Sequence, residues 1–284
     1  MPNSTPTGAA SFMGPVRTVQ ANGIDIGYRQ AGSGKPLLLI MGFSGTMSLW
    51  QHEFVKSLVD ADFQVTMFDN RGVGYTTDDT SRPLTMQLMA QDTASLIDVL
   101  GLGEPTIAGW SMGGEIALTL AGSRPDLVGA LVTSGADAGS KHSIPPTAKA
   151  QQVLEHPTDE ALLELLFPPS QAAAAQAFGE SVALFPQETV SAATLQRQLQ
   201  AEAAFSRYEG TWANLPNITS PTVIENGALD QITRPENARL IAARIRGAEL
   251  VLEPDSAHGS LFQNYVKFTR LIVKVASASS APTP

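Results

Sequence analysis

The chain has 284 residues and no cysteine, and its 18 Lys and Arg against 27 Asp and Glu leave a net charge of −9. Because this charge repels phosphate backbones and acidic lipids, it argues against nucleic acid or an anionic membrane surface as a partner. The lack of cysteine excludes disulfide scaffolds, thiolate zinc sites, iron–sulfur clusters and a cysteine nucleophile.

Short apolar runs alternate with longer helical patterns along the chain, which is typical of a mostly parallel sheet with crossover helices. A turn at Asn22-Gly23 is expected to join the first two strands. The predicted strands are Val16–Gln20, Ile24–Arg29, Leu37–Met41, Phe63–Phe68, Thr106–Ala108, Leu127–Thr133, Thr222–Glu225 and Glu249–Leu252. The predicted helices are Ser48–Val59, Thr85–Leu100, Met112–Ser123, Pro235–Arg246 and Ser260–Ala276.

Residues 137–214 interrupt this alternation, because they carry several helical stretches and no convincing strand. We expect them to form a helical cap inserted at one edge of the sheet. Residues 16–136 and 215–275 then form the core, between flexible tails at 1–15 and 276–284 that are rich in proline and small residues. No apolar run approaches the length of a bilayer-spanning helix and no secretory signal is recognisable, so we expect a cytoplasmic protein.

Residues 109–113, with the sequence GWSMG, match the pattern G-x-S-x-G. Glycine and serine are common in this chain, so a Gly-rich turn with a solvated serine would match as well. The position of the pattern is more informative, since it lies between a predicted strand and a predicted helix. There the glycines permit a tight turn that lifts the hydroxyl of Ser111 above the sheet at a helix N-terminus, which favours Ser111 as a nucleophile.

A serine nucleophile needs an imidazole that accepts its proton, and the chain has four histidines. His258 directly follows the last predicted strand, and the carboxyl end of a strand is where open α/β sheets place functional groups. His52 lies early in a predicted helix, and His142 and His156 lie in the insertion, where packing or surface roles are usual. We therefore predict that His258 is the catalytic base.

The imidazole in turn needs a carboxylate that orients it. Asp230 follows the strand that precedes the His258 strand, and the chain order Ser111, Asp230, His258 is the order of hydrolases built on this kind of sheet. Two other acids are rivals. Glu225 lies at the end of its strand, and Asp137 follows the strand before it and can also approach the histidine loop. Asp230 is our predicted triad acid.

Acyl transfer also needs donors for the developing oxyanion. The backbone N–H of Met112, directly after the nucleophile, is one predicted donor, and that of Phe43, in the loop after the predicted strand 37–41, is the other. The side chains of Phe43, Trp110 and Met112 are expected to line an apolar pocket. That pocket favours a hydrophobic substrate of small to medium size.

In these motifs and their order, the chain resembles the α/β-hydrolase fold family from about Val16 to Val275. The matching segments are Leu38–Phe43, Phe68–Gly74, Gly109–Gly113, Gly227–Asp230 and Ala257–Gly259. The resemblance implies a mostly parallel eight-stranded sheet with flanking helices and a helical cap after the sixth strand. Many relatives have histidine before the glycine of the oxyanion loop, where this chain has Met41, which removes a polar side chain from that loop.

Two further motifs invite functional interpretations that we set aside. Residues 69–74, DNRGVG, pair a carboxylate with a guanidinium, and we interpret Asp69 and Arg71 as an ion pair that stabilises a turn. Residues 32–36, GSGKP, lack both the first glycine and the final Ser or Thr of a phosphate loop. With four scattered histidines and no cysteine, we expect no metal and no cofactor.

Together these features predict a serine esterase that cleaves a hydrophobic ester through an acyl-enzyme intermediate. Within the resembled family the same triad also serves carbon–carbon bond hydrolysis, lactone opening and cofactor-free perhydrolysis. A cofactor-free dioxygenase or a non-enzymatic ligand-binding relative is the alternative of a different class, since fold does not establish reaction. The expected partner is a small molecule, and the sequence leaves open whether the chain forms a homodimer.

Overall fold

An eight-stranded sheet lies at the centre of the computed structural model, which describes residues 12–185, 188–207 and 210–279. The strands are β1 (Arg17–Ala21), β2 (Ile24–Ala31), β3 (Lys35–Ile40), β4 (Phe63–Phe68), β5 (Thr106–Trp110), β6 (Ala130–Ser134), β7 (Thr222–Gly227) and β8 (Glu249–Glu253). Their order is β1-β2-β4-β3-β5-β6-β7-β8. β2 is antiparallel to both of its neighbours and the other pairs are parallel. The predicted α/β sheet is therefore confirmed.

Helices cover both faces of the sheet. Those of the described residues are α1 (His52–Asp60), α2 (Met86–Leu100), α3 (Met112–Ser123), α4 (Ala148–Glu155), α5 (Asp159–Leu166), α6 (Ala172–Val182), α7 (Ala192–Arg207), α8 (Pro235–Arg244), α9 (Ser260–Gln263) and α10 (Tyr265–Ser279). Successive side chains of a strand point to opposite faces. Accordingly, Leu38 and Ile40 of β3 pack into a layer with α2, α3 and α8, whereas Leu37 and Leu39 pack with α1 and α10.

Two predicted elements have different bounds in the structure. Pro125–Leu127 forms a short 3-10 helix, so β6 begins only at Ala130. α8 ends at Arg244, because Ile245 has extended backbone.

Two predicted helices are each divided into shorter pieces. The predicted helix 48–59 consists of a 3-10 turn, Met47–Leu49, followed by α1. The predicted helix 260–276 is divided into α9 and α10 at Asn264. The side-chain amide of Asn264 donates to Ser256 Oγ at 2.8 Å, a local bond that competes with a continuous helix.

The predicted flexible tails are too long where the structure describes them. Met13 is only 1% exposed within the layer of α1 and α10, and the carbonyl of Gly14 accepts a hydrogen bond from Arg29 at 2.7 Å. At the other end α10 continues to Ser279, and Ala276 is buried. Residues 1–11 and 280–284, which those predictions also cover, lie outside the described residues.

Helices α4 to α7 follow one another between β6 and β7, and the described residues there include no strand. We refer to residues 137–214 as the cap segment. None of the helices in the described ranges combines the length and the apolarity needed to cross a membrane.

Arg71 is buried after β4 and forms an ion pair with Asp92 of α2. The Arg71 Nε to Asp92 Oδ2 distance is 2.8 Å, and the Asn22 amide donates to the same carboxylate at 2.6 Å. The expected Asp69–Arg71 pair is therefore wrong. Asp69 instead accepts hydrogen bonds from two backbone N–H groups, which stabilise the turns around it.

We expect Asp92→Asn to lower the free energy of unfolding by about 3 kcal/mol or more, because it leaves the Arg71 guanidinium buried without its main counter-charge. Urea unfolding followed by circular dichroism measures the loss. Lys56→Met, which removes the exposed Lys56–Asp60 pair, is the control and should change stability by less than about 1 kcal/mol. Equal losses from both variants would contradict this assignment.

Candidate active site

Ser111 lies in a tight turn between β5 and α3. Its backbone has φ 55° and ψ −128°, a conformation that costs a non-glycine residue roughly 1–3 kcal/mol. Three backbone hydrogen bonds hold it there: Ser111 N–H donates to Ser134 O at 2.9 Å, and Ser111 O accepts from Gly114 and Glu115. The turn therefore carries the serine at the N-terminus of α3, at the edge where the parallel strands end.

Glycines make room for this turn at three positions. A Cβ atom on Gly113 would lie 2.0 Å from Ile40 O, and one on Gly109 would lie 2.3 Å from Gly113 O. A Cβ atom on Gly135, after β6, would lie 3.1 Å from the imidazole of His258. Side chains at the first two positions would push α3 away from the sheet.

Ser111, His258 and Asp230 form a continuous hydrogen-bonded chain. The Ser111 Oγ to His258 Nε2 distance is 2.9 Å, and the His258 Nδ1 to Asp230 Oδ2 distance is 2.8 Å. His258 and Asp230 are each 3% exposed. Because a carboxylate only accepts hydrogen bonds, we assign the imidazole proton to Nδ1, which leaves the Nε2 lone pair facing the serine hydroxyl.

Backbone donors orient the Asp230 carboxylate. Its Oδ1 accepts hydrogen bonds from the N–H groups of Ile232 at 2.8 Å and Thr233 at 3.0 Å. These bonds turn Oδ2 toward the imidazole. The sequence between Asp230 and Pro235 thus forms a turn that satisfies one carboxylate oxygen and presents the other.

The loop that carries His258 is bound by the cap segment. The N–H groups of His258 and Gly259 donate to the carbonyls of Leu165 and Leu166, at the end of α5, at 3.2 and 2.8 Å. On the core side, Trp110 Nε1 donates to His258 O at 2.9 Å, and the two rings lie 5.3 Å apart. The histidine is thereby held between the cap segment and the indole of Trp110.

The loop after β3 forms a turn from Gly42 to Gly45. Gly45 N–H donates to Gly42 O at 3.2 Å, and Ser44 has φ 56°. Within the described residues, the N–H groups of Phe43 and of Met112 have no acceptor. In that part of the chain both N–H groups are available to a ligand oxygen, and their role as oxyanion donors stays a prediction.

Two side chains that sequence reasoning missed support this loop. Asn70 donates to Met41 O at 2.8 Å, and Gln198 of α7 accepts from Ser44 N–H at 2.8 Å. Asn70 lies within a segment that matched the family, and that match is the signal that could have identified it. Gln198 has no such signal, because it lies in a helix without a motif.

The two rival acids do not contact His258. Asp137 Oδ1 accepts from Gly139 N–H at 2.6 Å and from Ser143 Oγ at 3.1 Å. Glu225 accepts from Ser260 Oγ at 2.5 Å. Their hydrogen bonds direct both carboxyls away from the imidazole.

Three carboxyl groups near the site have raised pKa values. Burial raises the pKa of Glu115, in the first turn of α3, well above its usual range, and the nearby carboxyls of Glu202 and Asp137 raise it further. Burial also raises the pKa of Glu202 to about 7. Burial likewise raises the pKa of Asp137. All three carboxyls are therefore easier to protonate than an exposed carboxyl.

The residues predicted to line the pocket lie at different depths. Trp110 and Met112 are buried, at 8% and 1% exposure, and Phe43 is half-buried. Trp110 also packs against Phe262, with the ring centres 4.9 Å apart. The pocket-lining role of these side chains stays a prediction.

The remaining histidines lie elsewhere. His142 stacks on Trp212 with ring centres 4.5 Å apart, and His52 packs edge-on against Phe12. His156 ends α4 at the surface. In the part of the chain that the structure describes, no cluster of His, Asp and Glu could hold a metal ion.

Comparisons with known proteins give a consistent fold. The family described as alpha/beta hydrolase fold matches residues 35–265. A protein of Mycobacterium tuberculosis H37Rv that is named as a non-heme bromoperoxidase, BpoC, is 28% identical over 259 residues, which cover 84% of this chain and 93% of that protein.

Solved structures agree at lower sequence identity. An alpha/beta hydrolase fold protein from Chitinophaga pinensis is similar with a TM-score of 0.80 at 22% identity, over 92% of this chain and 97% of that one. The enol-lactonase from Burkholderia xenovorans LB400 has a TM-score of 0.75 at 21% identity, over 92% of this chain and 100% of its own. These likenesses show the fold alone.

The raised pKa of the buried Glu225 carboxyl, in β7, can be tested through the pH dependence of stability. Glu225 is 2% exposed, and burial raises its pKa from the ordinary 4.5 to about 7. A carboxyl whose pKa is higher in the folded state binds its proton more tightly there. Its contribution to stability therefore falls as the pH rises from about 4.5 to 7, and the cost is complete above 7.

We expect Glu225→Gln, which cannot ionise, to remove this cost. The Tm of the variant minus that of the native protein should increase by several degrees between pH 5 and pH 8. Thermal melts at fixed ionic strength measure the difference. Glu160→Gln, at an exposed position of α5, should keep the native pH profile. A Tm difference for Glu225→Gln that is independent of pH would contradict the raised pKa.

Proposed function

Because the chain belongs to the α/β hydrolase fold family, we propose that it is a serine hydrolase that cleaves small to medium hydrophobic carboxylic esters. The observation that carries this proposal is the hydrogen-bonded chain from Ser111 Oγ through His258 to Asp230. In it a strained serine, an imidazole whose Nε2 lies 2.9 Å from the serine hydroxyl and a buried carboxylate follow one another. A non-enzymatic ligand-binding protein would not need that order of groups.

In the proposed reaction Ser111 Oγ attacks the ester carbonyl while His258 Nε2 takes the hydroxyl proton. The N–H groups of Phe43 and Met112 bind the oxyanion. The tetrahedral intermediate then loses the alcohol, which takes the proton from His258 and leaves an acyl group on Ser111. A water molecule, deprotonated by His258, cleaves this acyl-enzyme and releases the carboxylic acid.

Aromatic packing beside the histidine loop supports an uncharged substrate. Phe262 of α9 lies 4.8 Å from Phe178 of α6, which in turn lies 5.5 Å from Phe167. These rings form an apolar wall between the core and the cap segment. Because burying an unpaired charge is costly, such surroundings favour hydrophobic acyl or alcohol groups.

A second candidate activity is cofactor-free perhydrolysis, which the likeness to the M. tuberculosis protein named as a non-heme bromoperoxidase favours. It uses the same acyl-enzyme. Hydrogen peroxide replaces water as the second nucleophile, and the products are a peracid and the free serine. The two activities therefore differ only in the step that removes the acyl group.

We expect the native protein to hydrolyse p-nitrophenyl esters of short to medium acyl length. Ser111→Ala should lower kcat by about 10⁶, since it removes the nucleophile. Release of p-nitrophenolate measures both rates. Ser123→Ala removes a hydroxyl that bonds Thr119 O at the far end of α3, and it should retain native activity.

The ester proposal fails if no ester is hydrolysed while a meta-cleavage diketone is consumed. The nucleophile assignment fails if Ser111→Ala keeps most of the activity. Peracid formation from a p-nitrophenyl ester and hydrogen peroxide, faster than hydrolysis of the same ester, would favour perhydrolysis instead.

The acid is tested by a matched pair of variants. Asp230→Asn should lower kcat by about 10⁴, because an amide facing His258 Nδ1 favours the wrong tautomer. Asp137→Asn should have a small effect, because Asp137 bonds only to groups in its own loop. Steady-state kinetics on the best ester compares them, and a larger loss from Asp137→Asn would move the acid to that residue.

A further inference from the structure

Helix α7 of the cap segment places three polar side chains against the core. Thr194, Gln198 and Glu202 follow one another at intervals of four residues, so they share one face of the helix. Thr194 Oγ1 donates to Gly72 O at 3.0 Å, and Glu202 hydrogen-bonds to Glu115. Gln198, at 0% exposure, reaches the turn that carries Phe43.

The bond from Gln198 acts on the least stable part of that turn. Ser44 is the third of four residues in the turn from Gly42 to Gly45, and its φ of 56° is the mark of a type II turn, where glycine is the usual residue. Rotation of the Phe43–Ser44 peptide by about 180° gives the type I turn, in which φ at this position is negative and serine is unstrained. The Ser44 N–H belongs to that peptide. A hydrogen bond from Ser44 N–H to Gln198 Oε1 therefore holds the peptide in the strained form.

The orientation of this peptide matters for the oxyanion. Rotation changes the ψ angle of Phe43 and the φ angle of Ser44, so the residue that carries the predicted oxyanion N–H would lose the backbone conformation that it has in this structure. The Met41 side chain offers the loop no strong hydrogen bond, so support comes from Asn70 before the turn and Gln198 within it.

We propose that Gln198 is a positioning residue for acyl transfer, which holds the Phe43–Ser44 peptide, and with it the residue whose N–H is the predicted oxyanion donor, in the conformation seen in this structure. This inference rests on the proposed serine hydrolase function. It assigns to the cap segment a role in the oxyanion site that goes beyond covering the substrate.

A buried glutamine at position 198 costs stability, so stability alone does not explain it. Its Nε2 has no partner among the described residues, and an orphaned buried amide donor is costly. An apolar side chain of the same length would avoid that cost. We therefore expect Gln198→Met to fold, which makes it a usable probe.

The first experiment compares Gln198→Met with Thr194→Val, which removes a hydrogen bond between the same helix and the core without touching the turn. Gln198→Met should lower kcat on the best p-nitrophenyl ester by about 10- to 100-fold and leave KM little changed. The loss should not exceed that range, because complete removal of one oxyanion donor lowers kcat by about 10²–10³. Thr194→Val should keep kcat within about threefold, as expected of a bond remote from the oxyanion. Equal kcat losses, or a change in KM alone, would overturn the proposal.

The second experiment changes the turn itself. Glycine adopts positive φ without strain, so the loss of kcat caused by Gln198→Met should be smaller in the Ser44→Gly background than in the native one. The same loss in both backgrounds would overturn the proposal. If Gln198→Met does not fold, Ser44→Val serves in its place, since a β-branched residue at this φ favours the rotated peptide and should lower kcat with Gln198 intact.

A fluorophosphonate probe separates failure of this inference from failure of the proposed function. It labels an active serine by forming the Ser111 Oγ–P bond as fluoride leaves and His258 takes the proton. If the native protein is neither labelled nor active on any ester, the serine hydrolase function fails and this inference with it. If the native protein is labelled and Gln198→Met is labelled equally fast, only the role of Gln198 is wrong.

Discussion

The close approach of α3 to β3 is the constraint on which the candidate site depends. Gly113 leaves no space for a Cβ atom beneath the Ile40 carbonyl, so the helix begins directly against the end of the sheet. The chain can leave β5 and enter that helix in one residue only if Ser111 adopts positive φ. The hydrogen bond from Ser111 N–H to Ser134 O stabilises this strained conformation. The serine side chain therefore lies above the sheet, next to the residue Met112, whose N–H has no acceptor among the described residues.

Sheet register then brings the other groups to the serine. Trp110 pairs with Ser134, Ser134 with Glu225, and Gly227 with Glu253, so the loops that follow β5, β6, β7 and β8 start at neighbouring levels. The acid loop is bonded directly to the histidine loop, because Leu229 N–H donates to Ser256 O at 2.9 Å. The positions of these loops bring Ser111 Oγ to 2.9 Å from His258 Nε2 and His258 Nδ1 to 2.8 Å from Asp230 Oδ2. No long, flexible side chain is needed to close these distances.

Local signals explain what the sequence could predict, and long-range contacts explain what it could not. The order of strands and helices, the GWSMG turn and the loops of Asp230 and His258 are visible because each lies within a few residues of a strand end. Asp137 also lies there, and only its bonds to Gly139 and Ser143 turn it away from the imidazole. The hydrogen bond between Gln198 and Ser44 joins residues that are 154 positions apart, and no sequence pattern in α7 predicts it.

The cap segment supplies none of the three side chains in the Ser111, His258, Asp230 chain. It does bind two loops beside that chain. Carbonyls at the end of α5 bind the N–H groups of His258 and Gly259, and Gln198 of α7 binds the turn that carries Phe43. Any motion that separates the cap segment from the core breaks both sets of bonds. The geometry of the Ser111, His258, Asp230 chain and of the turn that carries Phe43 therefore depends on the contact between the cap segment and the core.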